Sequence, residues 1–99
     1  MERTTETMMS LEEKFTKSLE KWGLASQILM LAEESSELAV ACLHYLRNKK
    51  REKGFLELVE EIADVELMIE EIKFYLKIDR MVQNYRDGKL NRLEQYLRE

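Results

Sequence analysis

The 99-residue sequence contains no proline and only three glycines, so long helices meet few interior breakers. Its one cysteine, Cys42, excludes an intrachain disulfide, makes a thiolate metal site unexpected and suits a reducing compartment. No apolar run approaches the ~20 residues that span a bilayer. The opening MERTTETMMS has none of the apolar core of a signal peptide. The expectation is a cytoplasmic protein without a membrane partner. An excess of positive charge is also missing: 16 Lys and Arg against 20 Asp and Glu leave a net charge of −4. That argues against a binder of nucleic-acid polymers. A nucleotide substrate stays open, because a bound metal inverts local charge.

What is present is 44% apolar and 36% charged residues, dominated by strong helix formers, which predicts one all-α domain over residues 1–99. A domain this small buries only roughly 60–65% of its unfolded surface, so oligomerisation is expected. Residues 1–9 read as a flexible lead-in. Ser10 followed by Glu13 is a capping-box signature and opens a helix over 11–22; Gly23 ends it or bends the chain. A second helix runs from 24 to about 47, with Leu24, Ile28, Leu31, Ser35, Leu38, Cys42 and Tyr45 as its apolar stripe. A third runs from about 55 to 77, striped by Phe55, Leu58, Ile62, Val65, Ile69, Ile72 and Leu76. The basic stretch RNKKREKG between them makes a short loop, so the two helices pack antiparallel. Asp79 is placed to cap a fourth helix, which Gly88 weakens by about 1 kcal/mol and could kink or split. The sum is a four- to five-helix, bundle-like architecture.

The chemistry lies in two acidic runs, LAEESSEL (31–38) and EEIAD (60–64). Glu34 and Glu37 fall about 60° apart on the second helix, as do Glu61 and Asp64 on the third. Both pairs flank an apolar stripe, with Gln27, Met30, Ala41 and His44 on the acid line of the second helix. Antiparallel packing would bring all four carboxylates to one edge of the seam. Elsewhere the chain sets acids beside bases at helical spacing: Glu13 with Lys17, Lys53 with Glu57, Glu70 with Lys73, Glu94 with Arg98. The four acids have no such partner. Their neighbours at those spacings are acidic, apolar or small: Glu33 and Glu34 with Glu37, Glu57 and Asp64 with Glu61. A solvated charged face is the plain reading of such runs. A cation held between the helices would reverse the cost of the like charges. An all-carboxylate set suits a hard cation such as Mg²⁺, which also sits against substrate phosphates. Zinc is disfavoured with only Cys42 and His44 to offer. A ferritin-like di-iron site, which needs Glu-x-x-His on two helices, is poorly matched.

In order and on the right helices, EESSE (33–37) and EIAD (61–64) resemble the E-E-x-x-E and E-x-x-D motifs of the all-α nucleoside triphosphate pyrophosphohydrolases of the MazG-like superfamily. KWGLASQILMLAEESSELAVA (21–41) is similar to that family's first core helix and ELVEEIADVELMIEEIKFYL (57–76) to its second. GKLNRLEQYL (88–97) resembles the K-x-x-R-L ending of short members. The likeness covers about 21–97. It implies a MazG fold, cleavage of the α–β bond of a nucleoside triphosphate to monophosphate and pyrophosphate, and Mg²⁺ as cofactor, with Mn²⁺ as a substitute. It further implies Glu34, Glu37, Glu61 and Asp64 as metal ligands and catalytic residues. Gln27 would line the nucleotide pocket, and Lys89 and Arg92 would lie near the phosphates. Glu33 and Glu60 would stand behind the ligands or be exposed. Glu37 or Glu34 would accept a proton from the attacking water. Members are homodimers or dimers of dimers whose site is completed across a subunit interface, so a homodimer or homotetramer is implied. Leu31-Ala32 and Val65-Glu66-Leu67 depart from the phosphoribosyl-ATP branch. The rival readings are a non-catalytic helical interaction module of the same fold, and a relative acting on a modified nucleotide.

Other candidates have plainer readings beside them. Trp22 could stack on a base or lid a small core. Lys89 and Arg92 could pair with nearby acids. NKKREKG could meet phosphates or be a solvated loop. His44 reads as a partly buried or exposed side chain, and the six methionines as core filler.

Overall fold

The computed structural model describes residues 8–48 and 52–99, which form four helices and no strand: α1 Leu11–Trp22, α2 Leu24–Arg47, α3 Glu52–Leu76 and α4 Asp79–Leu97. The all-α expectation holds. The predicted capping box is present: Ser10 Oγ accepts from the Glu13 N–H at 3.1 Å, and the Ser10 N–H donates to Glu13 Oε1 at 2.7 Å. Gly23 both ends α1 and opens α2. Its φ of +86° is a left-handed conformation that glycine adopts without steric cost.

The α2–α3 hairpin is the body of the molecule, and α1 lies across it. The pairing is antiparallel. Gly54 meets the backbone of His44 and Tyr45, Glu34 meets Asp64, and Gln27 and Glu71 both meet Ser18 of α1. The core is small: Phe15, Ala41, Val65, Met68 and Ile72, with the Phe15 ring 5.7 Å from that of Phe74.

Here the structure corrects the sequence reading. The row centred on α2's seam is Gln27, Glu34 and Ala41, not the predicted apolar stripe. Of that stripe, Ile28, Ser35 and Cys42 are exposed. On α3, Phe55, Ile62, Ile69 and Leu76, spaced seven residues apart, are exposed as well. Ala41, 1% exposed, leaves room for the helices to close on the polar row, and the broader side chains turn outward.

The start of α4 departs from expectation too. Asp79 is its first helical residue, not its cap; Ile78 takes the cap position without a side-chain hydrogen bond. Asp79 pairs instead with Lys73 at 3.2 Å. Gly88 neither splits nor ends α4, which runs unbroken to Leu97. The stop before it is made by Lys77 at φ +56°, with the Ile78 N–H reaching back to the Lys73 carbonyl at 3.2 Å. That is the Schellman arrangement, whose left-handed residue is usually glycine. Lys77→Gly is therefore expected to stabilise the fold by about 1 kcal/mol. Urea titration at fixed protein concentration checks this, the midpoint rising with an unchanged slope.

No residue of α4 is buried, and α4 has no substantial packing against any other helix. End to end, α3 and α4 would span about 66 Å, and the longest dimension of the molecule is 60 Å. So α4 stands out from the hairpin as an arm. The radius of gyration, 17.8 Å, exceeds the roughly 13 Å of a compact chain of this length.

Candidate functional site

The antiparallel register brings the two acidic runs together. Carboxylate oxygens of Glu34, Glu61 and Asp64 lie within 4.8 Å of one another, and all three residues are partly buried. Glu34 Oε1 and Glu61 Oε1 are buried and have no hydrogen-bond partner. Two orphaned carboxylate oxygens facing a third carboxylate are costly unless something positive lies between them. Glu37 is exposed and stands outside this triad, but its charge reaches both orphans. The Glu34 carboxyl is held above the ordinary carboxylate range, first by burial, then by the charges of Glu37, Asp64 and Glu61. Glu61 is raised by burial, then by the charges of Glu37, Asp64 and Glu60. Without a cation the cluster resists holding its full negative charge.

The donor set is all oxygen and bears up to three negative charges, which fits a hard divalent cation and does not single out magnesium. Glu33 and Glu60 are exposed on the outer flank of each run.

The remaining candidates are scattered. Gln27 is 6% exposed and lies in a polar knot instead of an open pocket. The Ser18 hydroxyl donates to Glu71 Oε2 at 2.8 Å and lies 3.4 Å from Gln27 Oε1. Tyr75 donates to the same Glu71 oxygen, and its phenol is pushed up to about 12 by burial and by that bond. Glu71, 6% exposed, went unnoticed in the sequence. Its signal was there: it lies seven residues past Asp64, on the same row of α3. Trp22 is exposed, with the Lys21 ammonium 5.2 Å from its ring; it lids no core. Lys89 and Arg92 are exposed on the arm, about 40 Å from Glu61 and Asp64 along a line that runs straight through α3 and α4.

Of the helical ion pairs read from sequence, Glu94–Arg98 forms. Glu57 turns instead to His44, 3.3 Å away, and Lys73 to Asp79. Lys49, Lys50 and Arg51 of the basic loop lie outside the described residues, as do residues 1–7 of the lead-in. No helix among the described residues is long and apolar enough to cross a membrane.

Comparisons of the chain with protein-family models, with curated proteins and with solved structures find no match.

Proposed function

We propose that the chain is a Mg²⁺-dependent nucleotide pyrophosphohydrolase of the MazG-like kind, splitting a nucleoside triphosphate into monophosphate and pyrophosphate. The observation that carries this is the pair of orphaned oxygens, Glu34 Oε1 and Glu61 Oε1, converging with Asp64. Glu34, Glu61 and Asp64 would hold the metal, with Glu37 beside them. A bound Mg²⁺ would neutralise triphosphate charge and lower the pKa of a water for attack on phosphorus. The protein's own part is to hold three carboxylates at fixed separation on two packed helices. Glu37, outside the triad and exposed, is available to take a proton from water.

The second copy enters the same reading. The chain exposes 8448 Å², against about 6,000 Å² for a compact monomer of its mass. The difference is what a large subunit interface removes from each partner. The outward apolar row of α3 and the unpacked arm supply that surface. Lys89 and Arg92 are exposed on an arm that has no substantial packing against its own hairpin; in this reading they would serve the acids of a neighbouring copy and face the substrate phosphates there.

The test is a turnover panel of ribo- and deoxyribonucleoside triphosphates with and without Mg²⁺, resolving pyrophosphate from orthophosphate. Metal-dependent pyrophosphate is the expected product, and Glu37→Gln is expected to abolish it while leaving the helical circular dichroism intact. Orthophosphate alone would mean that a different bond is cut. Failure across the panel shifts weight to a modified nucleotide or to a non-catalytic module, which Mg²⁺ calorimetry separates.

A further inference from the structure

We infer that the α4 arm docks along the outer face of α2 of a second copy, so that two chains exchange arms. The inference rests on the second copy in the reading above and not on the reaction. The receiving surface is the side of α2 turned away from the seam. There Ile28, Leu29, Val40, Leu43 and Leu46 are exposed, from 43% for Ile28 to 66% for Leu46. The residues between them include Ala25, Ala32 and Ala39, which are exposed as well. From Leu24 to Leu46 this face is about 160° wide and about 33 Å long, and it holds no charged residue. Contiguous apolar surface on that scale marks an interaction site. The alanines let a second helix approach closely. Glu33 and Glu37, both exposed, border the face on one edge.

The arm complements it. Its 19 residues extend about 28 Å. One side of it, about 140° wide, carries Met81, Tyr85, Leu93 and Tyr96, all exposed. The same side holds Arg86, Lys89 and Arg92 and no acid. Asp87 and Glu94 lie on the opposite side, where they bond Gln83 and Arg98. An apolar face with three cations thus suits an apolar face bordered by two acids. Direction agrees too. Gln27 and Glu71 both meet Ser18, so α3 ends at the level where α2 begins. Under two-fold exchange each arm then runs along the other copy's α2 in the same direction. With Ile78 level with Leu24, Arg86 falls opposite Ala32 and Lys89 opposite Ser35, within about a turn of Glu33 and Glu37. Pairing α2 with its own copy would leave both arms bare and their cations unmatched. The area suffices: the chain exceeds the surface of a compact monomer by roughly 2,400 Å², and a standard interface takes about 800 Å² from each partner.

The experiment reads the sign of the charge on the docked face. The full chain is followed by sedimentation equilibrium, with circular dichroism to confirm that each variant keeps its helices. The wild type is expected to form dimers. Ala32→Arg, which sets a cation against Arg86, is expected to raise the dimer dissociation constant at least about tenfold. Ala32→Glu, which offers that cation a partner, is expected to raise it less. Adding Arg86→Glu to Ala32→Arg is expected to restore the dimer. A monomer at every concentration would overturn the inference, as would a dimer indifferent to Ala32→Arg. Equal damage from both signs, without rescue by Arg86→Glu, would overturn it in favour of an uncharged occupant such as α2 of the other copy. The turnover panel is read separately: pyrophosphate release by a dimer that ignores these charges would overturn the arm exchange alone, and a charge-sensitive dimer that cuts no nucleotide would overturn the reaction alone.

Discussion

Glu34→Gln and the double variant Lys89→Ala/Arg92→Ala are each expected to be inactive alone and to recover activity when mixed. Glu34 belongs to the acidic triad, and its loss should lower Mg²⁺-dependent turnover by roughly a hundredfold or more, since even the outer partners of metal ligands are worth 10- to 100-fold. The double variant leaves the triad intact and removes the cations of the arm. In the proposed dimer, a mixed pair would have one site with intact acids from one chain and intact cations from the other, while its second site would lack both. Random exchange in a symmetric dimer gives about a quarter of the wild-type sites. Activity assayed after unfolding and refolding the mixture together reads this directly. No recovery would mean that the arm serves its own chain or serves no site.

Glu61→Gln is expected to raise the melting temperature of the metal-free protein and to erase its response to Mg²⁺. The two halves have one cause. Burial and the neighbouring acids hold the Glu61 and Glu34 carboxyls above their ordinary value of 4.5. For an acid raised by folding, the folded state holds the proton more tightly than the unfolded one. The associated stability is present in full below that ordinary value and is lost as pH rises through the raised folded value. At neutral pH the metal-free chain therefore carries an uncompensated penalty that a neutral amide removes. In the proposed reading the wild type would instead remove it by binding a divalent cation. At free metal about a hundredfold above the dissociation constant, linkage gives about 2.7 kcal/mol, on the order of 10–20 °C for a domain of this size. Calorimetric scans with and without Mg²⁺, at neutral and mildly acid pH, check both halves. A lower metal-free melting temperature in the variant would show that the carboxylate is satisfied by something other than a cation.

The parts of this molecule legible in the sequence are those set by neighbours along the chain. The Ser10–Glu13 capping box, the Gly23 break and the span of α2 depend on residues a few positions apart. The acidic runs were legible because three- and four-residue spacing exposes an acid that lacks a basic neighbour, as with Glu61 between Glu57 and Asp64. Contacts between distant segments were not. Nothing local to Ser18 announces that its hydroxyl will meet Glu71, 53 residues on. The rotation of the seam was misread for a similar reason. The stripe through Ile28 and Cys42 is apolar, and apolarity says that a face will be covered without saying by what. Within one chain the seam belongs to the row of Gln27, Glu34 and Ala41. The stop before α4 was hidden too, since Lys77 has none of glycine's conformational freedom to mark it.

The unpacked arm has a thermodynamic consequence. A helix of 19 residues with a glycine inside it is near the limit of what propensity alone sustains in water. Because no residue of α4 is buried and the Lys73–Asp79 pair that ties it to α3 is exposed on the α4 side, the hairpin core adds little to its order, and further stability would have to come from outside the molecule. In the proposed dimer the last fifth of the sequence would therefore answer to dilution. Its amide protons should exchange at a rate set by protein concentration, while those of the α2–α3 seam should not.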